Sequence, residues 1–382
     1  MQQSRARVSF LNLKPDSGSF LQDVVAGLSR ARKELNPKYF YDERGSALFE
    51  AICELPEYYP TRTEMAMMQA HAGEMARCLG PDCLLIEFGS GSGRKTRVLI
   101  SALEPVAYMP IDIAGAQLED SAIALGREFP GLHVIGVCAD YMRPLALPAA
   151  GHRPARRHVI YFPGSTIGNL TAPEALEFLR RARSLAGAGG AMLVGVDLKK
   201  DRALLHAAYN DAQGVTAEFN LNLLARINRE LGADFDLASF RHDAFYNAAL
   251  GRIEMHLVSL KEQEVNVRGH RFAFRAGESI HTENSCKYSV AEFQALARRA
   301  PNSPIYGQLF PEQNSRSDRA YHDVAIVPAV HASARAATAT PARLPGDEVM
   351  DREQPARVRP VPFRHETGAA GKRLEFRDRV LA

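Results

Sequence analysis

Short apolar runs recur between residues 84 and 197, and amphipathic segments separate them. A short apolar run bounded by turn residues is typical of a strand that is buried on both faces. Strands that alternate with helices predict right-handed βαβ units and a parallel sheet, so the fold class is α/β with a doubly wound sheet. The predicted strands cover residues 84–88, 107–113, 132–140, 158–162 and 191–197.

Helical periodicity between and before these strands predicts five helices, in addition to one that follows the glycines at 89–93 and continues to residue 103. Ser46 is placed to cap the second, and Thr171 with Glu174 has the spacing of a capping box at the start of the fifth. The predicted helices cover residues 20–35, 47–53, 64–78, 116–127 and 172–185.

The pattern changes after Asp197. Residues 202–231 are largely helical, and residues 240–274 alternate as antiparallel strands do, which predicts an inserted α+β unit. A helix over residues 289–299 and a last strand over 321–327 follow. The two ends, residues 1–18 and 329–382, show no periodicity, and we expect a flexible N-terminus and a disordered tail.

Composition and charge restrict the classes of function. The chain has 382 residues and a formal net charge of +3, and this excess lies entirely after residue 330. Basic and acidic residues balance in residues 1–330, which lack the excess of positive charge that is typical of nucleic-acid-binding proteins. We therefore expect no nucleic-acid partner. The five cysteines include no CxxC pair, which predicts neither disulfides nor a zinc site, and no metal site is predicted. Since no signal peptide or membrane-spanning stretch is evident, we expect a cytoplasmic protein without a membrane partner.

Three glycines, Gly89, Gly91 and Gly93, follow the first predicted strand of the alternation and precede a helix. Such a turn brings backbone N–H groups close to a ligand at a helix N-terminus. A dinucleotide fingerprint would need its third glycine at position 94, which is Arg94, so a nicotinamide enzyme is excluded. The turn, with Glu87 before it, instead resembles motif I of the class I S-adenosylmethionine-dependent methyltransferases.

Acidic residues at the ends of the next two strands agree with this resemblance. Asp112 is placed to accept hydrogen bonds from ribose hydroxyls, and Asp140, beside Tyr141, from the adenine amino group. Either aspartate alone is also explained as a helix N-cap after a strand. Five aromatic residues before residue 60 have two interpretations, a lid over the edge of the core or the wall of an apolar pocket. They are Tyr39, Phe40, Tyr41, Tyr58 and Tyr59.

Five longer motifs resemble a more specific family, the histidine Nα-methyltransferases of ergothioneine biosynthesis. The resemblance extends over roughly residues 20–295, with the motifs in the family's order. The motifs are KYFYD at 38–42, LPEYYPTRTE at 55–64, GSTIGNL at 164–170, NDAQGVTAEFNLN at 210–222 and ENSCKY at 283–288.

The resemblance implies three successive methyl transfers from S-adenosylmethionine to the α-amino nitrogen of L-histidine, giving hercynine. We expect the enzyme to be a monomer. It implies a class I (Rossmann-like) domain at 63–199 plus 290–328 and a substrate-binding domain at 19–62 plus 200–289. It implies that Tyr41 and Asn169 lie at the reacting amine. Cofactor contacts are implied for Gly89, Lys95, Asp112, Asp140 and Tyr141, and histidine contacts for Tyr58, Asn169, Tyr209, Met255, Glu283 and Ser285.

The chemistry of these side chains suits the implied substrate. Glu283 and Ser285 lie two apart, on one face of a strand, and can meet the two ring nitrogens of an imidazole. Asn169 and Tyr209 can donate hydrogen bonds to the substrate carboxylate. Met255 alone is better explained as core, and Ala114 stands where the family often has a second acid near the ribose.

Two alternatives remain open. One is N-methylation of another aromatic amino acid, such as a tryptophan derivative, whose indole offers one donor and no acceptor. The other is a non-catalytic, cofactor-binding regulatory protein, which would have no need for the complete set of pocket residues.

Overall fold

The computed structural model describes residues 7–13, 19–91, 93–148, 154–300, 309–310 and 322–328. All of them belong to one compact unit that spans residues 1–333. The predicted disordered tail, residues 329–382, lies outside the described residues. Within the part that is described, no helix is both long enough and apolar enough to cross a membrane.

The described strands form a large central sheet, a three-stranded antiparallel sheet and a hairpin. In chain order they are β1 (Arg7–Asn12), β2 (Cys83–Phe88), β3 (Ala107–Asp112), β4 (His133–Cys138), β5 (Arg157–Phe162), β6 (Ala191–Asp197), β7 (Phe240–Asn247), β8 (Arg252–Ser259), β9 (Gln263–Val267), β10 (His270–Phe274), β11 (Ser279–Cys286), β12 (Leu309–Phe310) and β13 (His322–Pro328).

Helices cover both faces of the central sheet and build the inserted part. Short 3₁₀ turns lie in the connecting segments, at Pro37–Phe40, Thr166–Asn169 and Leu237–Ser239. The α-helices of the described residues are α1 (Ser19–Leu28), α2 (Glu43–Glu54), α3 (Tyr59–Leu79), α4 (Arg94–Leu103), α5 (Gly115–Glu128), α6 (Ala172–Ala186), α7 (Arg202–Tyr209), α8 (Val215–Leu231) and α9 (Val290–Arg298).

The central sheet has the order β1-β4-β3-β2-β5-β6-β13-β12. Strands β1 to β6 pair in parallel, and β13 pairs antiparallel with β6. The five strands predicted from the alternation and the last strand are confirmed, as is the doubly wound α/β class. The strand order reverses between β2 and β5, which is where open α/β sheets bind ligands. The glycine turn after β2 lies at this point.

The N-terminal prediction is wrong for Arg7–Asn12, which forms β1 at the edge of the sheet. This strand pairs in parallel with β4, with Val8 opposite Val134 and Leu11 opposite Val137. Gly136 makes room for it, because a Cβ there would lie 2.6 Å from the ring of Phe10. An edge strand is held largely by backbone hydrogen bonds, which leave little periodicity in so short a sequence.

Helix boundaries also differ from the predictions. The first helix ends at Leu28 rather than continuing to residue 35, and the region 202–231 is interrupted between α7 and α8. Helix α2 begins at Glu43, and its cap is Asp42 rather than Ser46, because the Asp42 carboxylate accepts a hydrogen bond from Gly45 N at 2.7 Å.

The buried apolar side chains form three clusters. One draws on residues 20–59 and 205–280, and it lies between α8, the antiparallel strands and the N-terminal segments. The other two pack on the two faces of the central sheet, one with α6 and α9 and the other with α3 and α4. The inserted part therefore has its own core, to which residues before α3 contribute.

Candidate active site

The glycine turn connects β2 to α4 through backbone conformations that favour glycine. Gly89, Gly91 and Gly93 have φ angles of 70°, 46° and 65°. A Cβ at Gly91 would meet no heavy atom within 4 Å, so the turn faces open space at the N-terminus of α4. This arrangement presents backbone N–H groups to a ligand.

Glu87 lies under the turn, fully buried, and accepts hydrogen bonds from Thr96 Oγ1 at 2.8 Å and from the Tyr108 hydroxyl. Burial raises the pKa of Glu87 to about 8, although these hydrogen bonds lower it. Glu87 is thus a structural support of the turn.

Acidic and aromatic side chains from β3 and β4 border the turn. Asp112 Oδ2 accepts from Gly91 N at 3.4 Å and Oδ1 from Ala114 N at 3.0 Å, and burial raises the pKa of Asp112. Asp140 accepts from Met142 N at 2.9 Å. The Tyr141 ring packs on Phe88, with ring centroids 5.5 Å apart. We call Gly89–Gly93, Asp112, Asp140 and Tyr141 the cofactor edge.

The structure gives Lys95 an ion pair that the sequence did not predict. Its ammonium group contacts Glu64, a buried carboxylate on α3. The same carboxylate accepts from Gly164 N, with both oxygens at 2.9 Å. Lys95 therefore joins α4 to α3 and to the loop after β5, beside the glycine turn.

Aromatic rings form a continuous series next to the cofactor edge. Tyr41 contacts Phe49, Phe49 contacts Tyr58, and Tyr58 contacts Tyr209, with centroids 5.8, 6.3 and 6.2 Å apart. Phe219 of α8 lies 6.0 Å from Tyr41. The rings meet edge to face, and we call them the aromatic wall. The sequence did not single out two of its members, Phe49 and Phe219.

Tyr41 belongs to the wall, and charges from both predicted sites act on it. Burial raises the pKa of Tyr41 well above its usual value, and the charges of Glu283 and Asp112 raise it further. Burial and Glu283 act on Tyr58 in the same direction, so both hydroxyl groups keep their protons and remain donors. Tyr41 is thus within electrostatic reach of residues from both predicted sites.

The antiparallel sheet carries the predicted polar pair. Glu283 and Ser285 lie two apart on β11, and Met255 lies opposite Glu283 on β8. The register shifts between His281 and Glu283, which marks a β-bulge, a feature that re-aims side chains. Burial raises the pKa of Glu283 to about 7, although the charge of Lys287 lowers it.

A buried network holds Ser285. Its Oγ lies 2.7 Å from the Tyr209 hydroxyl and 2.9 Å from Lys287 Nζ, and Lys287 Nζ lies 3.1 Å from the same tyrosine hydroxyl. Lys287 also forms an ion pair of 2.8 Å with Asp197, which is 0% exposed. Tyr59 donates a hydrogen bond to Asp197 at 2.5 Å, and Lys200 pairs with its other oxygen.

The sequence did not assign roles to Lys287 and Asp197. Lys287 lies within the motif at 283–288, and Asp197 ends the predicted strand at 191–197. Two opposite charges at the two ends of the insertion were therefore the only sequence feature that could have indicated this ion pair. Tyr288 N donates to Asp197 O at 3.2 Å and Lys199 N to Tyr288 O at 2.9 Å, so the chain leaves the insertion beside the point where it entered.

Asn169 is brought to the same strand by the loop after β5. It ends the 3₁₀ turn Thr166–Asn169 and is half-buried. A Cβ at Gly168 would lie 2.9 Å from Cys286 O, so the turn packs directly on β11. The structure therefore gathers Tyr41, Tyr58, Asn169, Tyr209, Met255, Glu283 and Ser285, which we call the candidate pocket.

The site fits the cofactor that the sequence motif implies. The open space in front of Gly91, the buried Asp112 at the next strand end and the Tyr141 ring form a cradle for a nucleoside at the switch point of the sheet.

Comparisons with known proteins agree. Residues 20–306 match the family model described as "Histidine-specific methyltransferase, SAM-dependent". The chain is 43% identical over 274 residues to the histidine N-alpha-methyltransferase of Mycolicibacterium smegmatis, covering 70% of this chain and 84% of that protein. It is 31% identical over 282 residues to ergothioneine biosynthesis protein 1 of Neurospora crassa, covering 69% of this chain and 30% of that protein.

Among solved structures, a S-adenosylmethionine-dependent methyltransferase from Clostridium acetobutylicum matches with a TM-score of 0.40 and 10% identity, over 70% of this chain and 92% of that one. The family model covers most of the described residues, including both the cofactor edge and the candidate pocket. The chain therefore belongs to the histidine-specific, S-adenosylmethionine-dependent methyltransferases.

Proposed function

We propose that this enzyme transfers three methyl groups in succession from S-adenosylmethionine to the α-amino nitrogen of L-histidine, giving hercynine for ergothioneine biosynthesis. The observation that carries the proposal is the pair of Glu283 and Ser285 on β11, with Ser285 held by Tyr209 and Lys287. The names of the relatives support the substrate and the pathway.

The hydrogen bonds around Ser285 determine which way its proton points. An ammonium group only donates, so Lys287 donates to the hydroxyl oxygens of both Ser285 and Tyr209. Tyr209 donates its own proton to Ser285 Oγ. Both acceptor positions of Ser285 are then used, and its proton is directed out of the network.

This polarity matches a neutral imidazole, which presents one N–H donor and one unprotonated nitrogen. We propose that the carboxylate of Glu283 accepts from the ring N–H and that Ser285 donates to the other nitrogen. An indole has no acceptor for Ser285, so a buried donor would lose its partner, at a cost of about 1–3 kcal/mol. The pair therefore favours histidine over a tryptophan derivative.

The network also changes the role expected for Tyr209. Since its proton is committed to Ser285, Tyr209 is a positioning residue, and we assign the hydrogen bond to the substrate carboxylate to the amide of Asn169. Lys287 and Lys200 both pair with the carboxylate of Asp197 in this buried cluster.

Methyl transfer to nitrogen is an in-line displacement that forms a C–N bond, breaks a C–S bond and needs a neutral amine. When bound, the cofactor supplies an electrophilic methyl group on a sulfonium. Since the chemistry needs little acid–base assistance, positioning is the main contribution of the protein. We assign Tyr41 and Asn169 to the amine, because the charges of Glu283 and Asp112 both act on Tyr41 and because Asn169 ends the turn that packs on β11.

The aromatic wall supports the proposal that the reaction continues to a quaternary product. Each transfer makes the nitrogen more substituted, and the last leaves a permanent positive charge. The faces of Tyr41 and Tyr58 can stabilise this charge by cation–π contact, worth about 0.5–2 kcal/mol.

Mass spectrometry tests the proposal. The purified protein with S-adenosylmethionine and L-histidine should give a product heavier by three methyl groups. Accumulation of a singly methylated product would contradict trimethylation, and faster methylation of L-tryptophan would contradict the assigned substrate. Cofactor binding without methylation of any amino acid would favour a regulatory protein.

We also propose that residues 19–62 and 200–289 form the substrate-binding part, and residues 63–199 and 290–328 the cofactor-binding part. The separate apolar cluster of residues 20–59 and 205–280 supports this division. A cytoplasmic location and a monomeric state stay predictions, which cell fractionation and light scattering check.

A further inference from the structure

A cluster of potential metal ligands lies on the antiparallel sheet. Glu254 and His256 are two apart on β8, and His281 of β11 is directly opposite His256. One ligand atom from each of the three lies within 4.8 Å of the others, and this is the only such group of three or more in the part of the chain that the structure describes. The two imidazole rings stack with centroids 5.0 Å apart.

This cluster is separate from the candidate pocket. Met255 lies between Glu254 and His256 on β8, and its side chain belongs to the buried apolar cluster. Since successive side chains of a strand point to opposite faces, Glu254 and His256 occupy the face away from Met255. Their side chains are 11% and 15% exposed, which leaves a path for an ion from solvent.

Hydrogen bonds orient the two histidines as ligands. His256 Nδ1 lies 3.1 Å from Ser279 Oγ, and its Nε2 lies 3.3 Å from Glu254 Oε2. His281 Nε2 lies 3.1 Å from Glu283 O, a carbonyl that can only accept, so Nε2 carries the proton and Nδ1 keeps its lone pair. A ring nitrogen bound to a hydroxyl or carbonyl group, with the other turned to the ion, is the usual environment of metal-binding histidine.

We propose that Glu254, His256 and His281 form a binding site for a zinc-class divalent ion. His256 supplies Nε2, His281 supplies Nδ1 and Glu254 supplies Oε2. Two imidazoles and one carboxylate suit zinc, nickel or copper, whereas magnesium and calcium prefer oxygen ligands. Arg252 contacts the other oxygen of Glu254 at 2.8 Å and offsets its charge, which disfavours the hard cations further.

The ion would join β8 to β11 at the bulge before Glu283 and stabilise the pairing of these strands. The sequence offered no sign of it, because 25 positions separate His256 from His281 and strand pairing alone brings them together. The proposal does not depend on the identity of the methylated substrate.

Calorimetric titration of the full chain tests the site. The protein is prepared without an affinity tag of histidines, treated with a chelator and titrated with zinc chloride. We expect one zinc ion per chain and no comparable binding of magnesium chloride. His256→Gln and His281→Gln should each weaken zinc binding by at least about tenfold, whereas His270→Gln, an exposed histidine on β10, should leave it unchanged.

A second variant covers the case in which a histidine variant does not fold. Ser279→Ala keeps all three ligands and removes the partner of His256 Nδ1, and we expect about tenfold weaker zinc binding. The thermal midpoint of the unmodified protein should rise with zinc concentration. Equal zinc affinity in the unmodified protein and in Ser279→Ala and His281→Gln, or no binding at all, would overturn the proposal.

Discussion

The cofactor edge and the candidate pocket are built from different kinds of structure. The cofactor edge comes from one continuous region, residues 89–141, and uses backbone turns and the ends of neighbouring parallel strands. The candidate pocket draws on the segments around Tyr41, Tyr58, Asn169, Tyr209 and β11, which are far apart in the chain. It depends on buried side chains that hold one another.

The difference determines how each region should fail when it is altered. A change at the cofactor edge acts on backbone conformation and should affect cofactor binding. A change in the pocket acts on a buried polar network, in which a missing partner leaves a charge or a donor unsatisfied, so stability and histidine use should both change.

The largest effect is expected for Lys287→Met, which removes one cation from the buried carboxylate of Asp197. Breaking a buried ion pair costs about 3–5 kcal/mol, and we expect the lower end because Lys200 remains. Urea unfolding measures this loss. The KM for histidine should also rise, since Ser285 loses the donor that orients it.

Lys200→Met is the matched control, because Lys200 pairs with the other oxygen of Asp197. It should lower the free energy of unfolding by a similar amount and change the KM for histidine much less. If both variants raised KM equally, the proposed role of Lys287 in orienting Ser285 would be wrong.

Glu283→Ala should separate the two regions most clearly. Loss of a hydrogen bond to a charged group costs about 1.5–3 kcal/mol, so kcat/KM for histidine should fall by about 10- to 100-fold. The dissociation constant of S-adenosylmethionine, measured by calorimetry, should change little. Glu264→Ala, an exposed acid on β9, should leave both quantities unchanged. A parallel loss of cofactor binding in Glu283→Ala would indicate misfolding instead.

Gly91→Ala tests the cofactor edge. The φ angle of 46° costs a residue with a Cβ about 1–2 kcal/mol, and the new methyl group projects into the space in front of the turn. Cofactor affinity should fall by about tenfold.

Gly187→Ala provides the comparison for Gly91→Ala, because Gly187 has a φ of 67° and no heavy atom within 4 Å of its Cβ position. Gly187 is the C-terminal cap of α6. Gly187→Ala should therefore lower the free energy of unfolding and leave cofactor affinity unchanged. Equal cofactor affinity in the two variants would contradict the role of the turn.

The last prediction concerns pH and Glu87, and its effect is a slope of stability with pH rather than a loss at one pH. Its folded pKa of about 8 exceeds the ordinary value of 4.5, so the folded protein holds the proton more tightly than the unfolded chain. Stability should therefore fall as pH rises from about 4.5 towards 8, by at most about 1.4 kcal/mol per pH unit. The Glu87→Gln variant has no carboxyl group to titrate at this position. Its free energy of unfolding should therefore rise relative to that of the unmodified protein as the pH increases from 5 to 8. A difference that is constant from pH 5 to pH 8 would contradict the raised pKa.

Much of the fold was predictable because its signals are local. The strands β2 to β6 are apolar runs buried on both faces, and the glycines mark the turn after β2 directly. The helix ends were less predictable, since α2 is capped by Asp42 through a contact within its own first turn, although Ser46 offered the same chemistry. β1 was not predicted, because its partner strand β4 lies more than a hundred residues further along the chain.

The candidate site divides in the same way. The residues of the cofactor edge follow from the motif and from the strand ends, whereas Glu283 and Ser285 were recognised only through a resemblance to a family. Lys287 and Asp197 were missed because a buried ion pair has no sequence signature until the two ends of the insertion meet.

By itself, the sequence determined the α/β class, the parallel strands and the glycine turn, because each depends on neighbouring residues and their hydrophobic period. Only the tertiary structure decided that Tyr209, Ser285, Lys287 and Asp197 form one buried network, and that the charges of Glu283 and Asp112 both act on Tyr41. Burial and distance set the strength of electrostatic interactions, and both arise only when distant segments pack together.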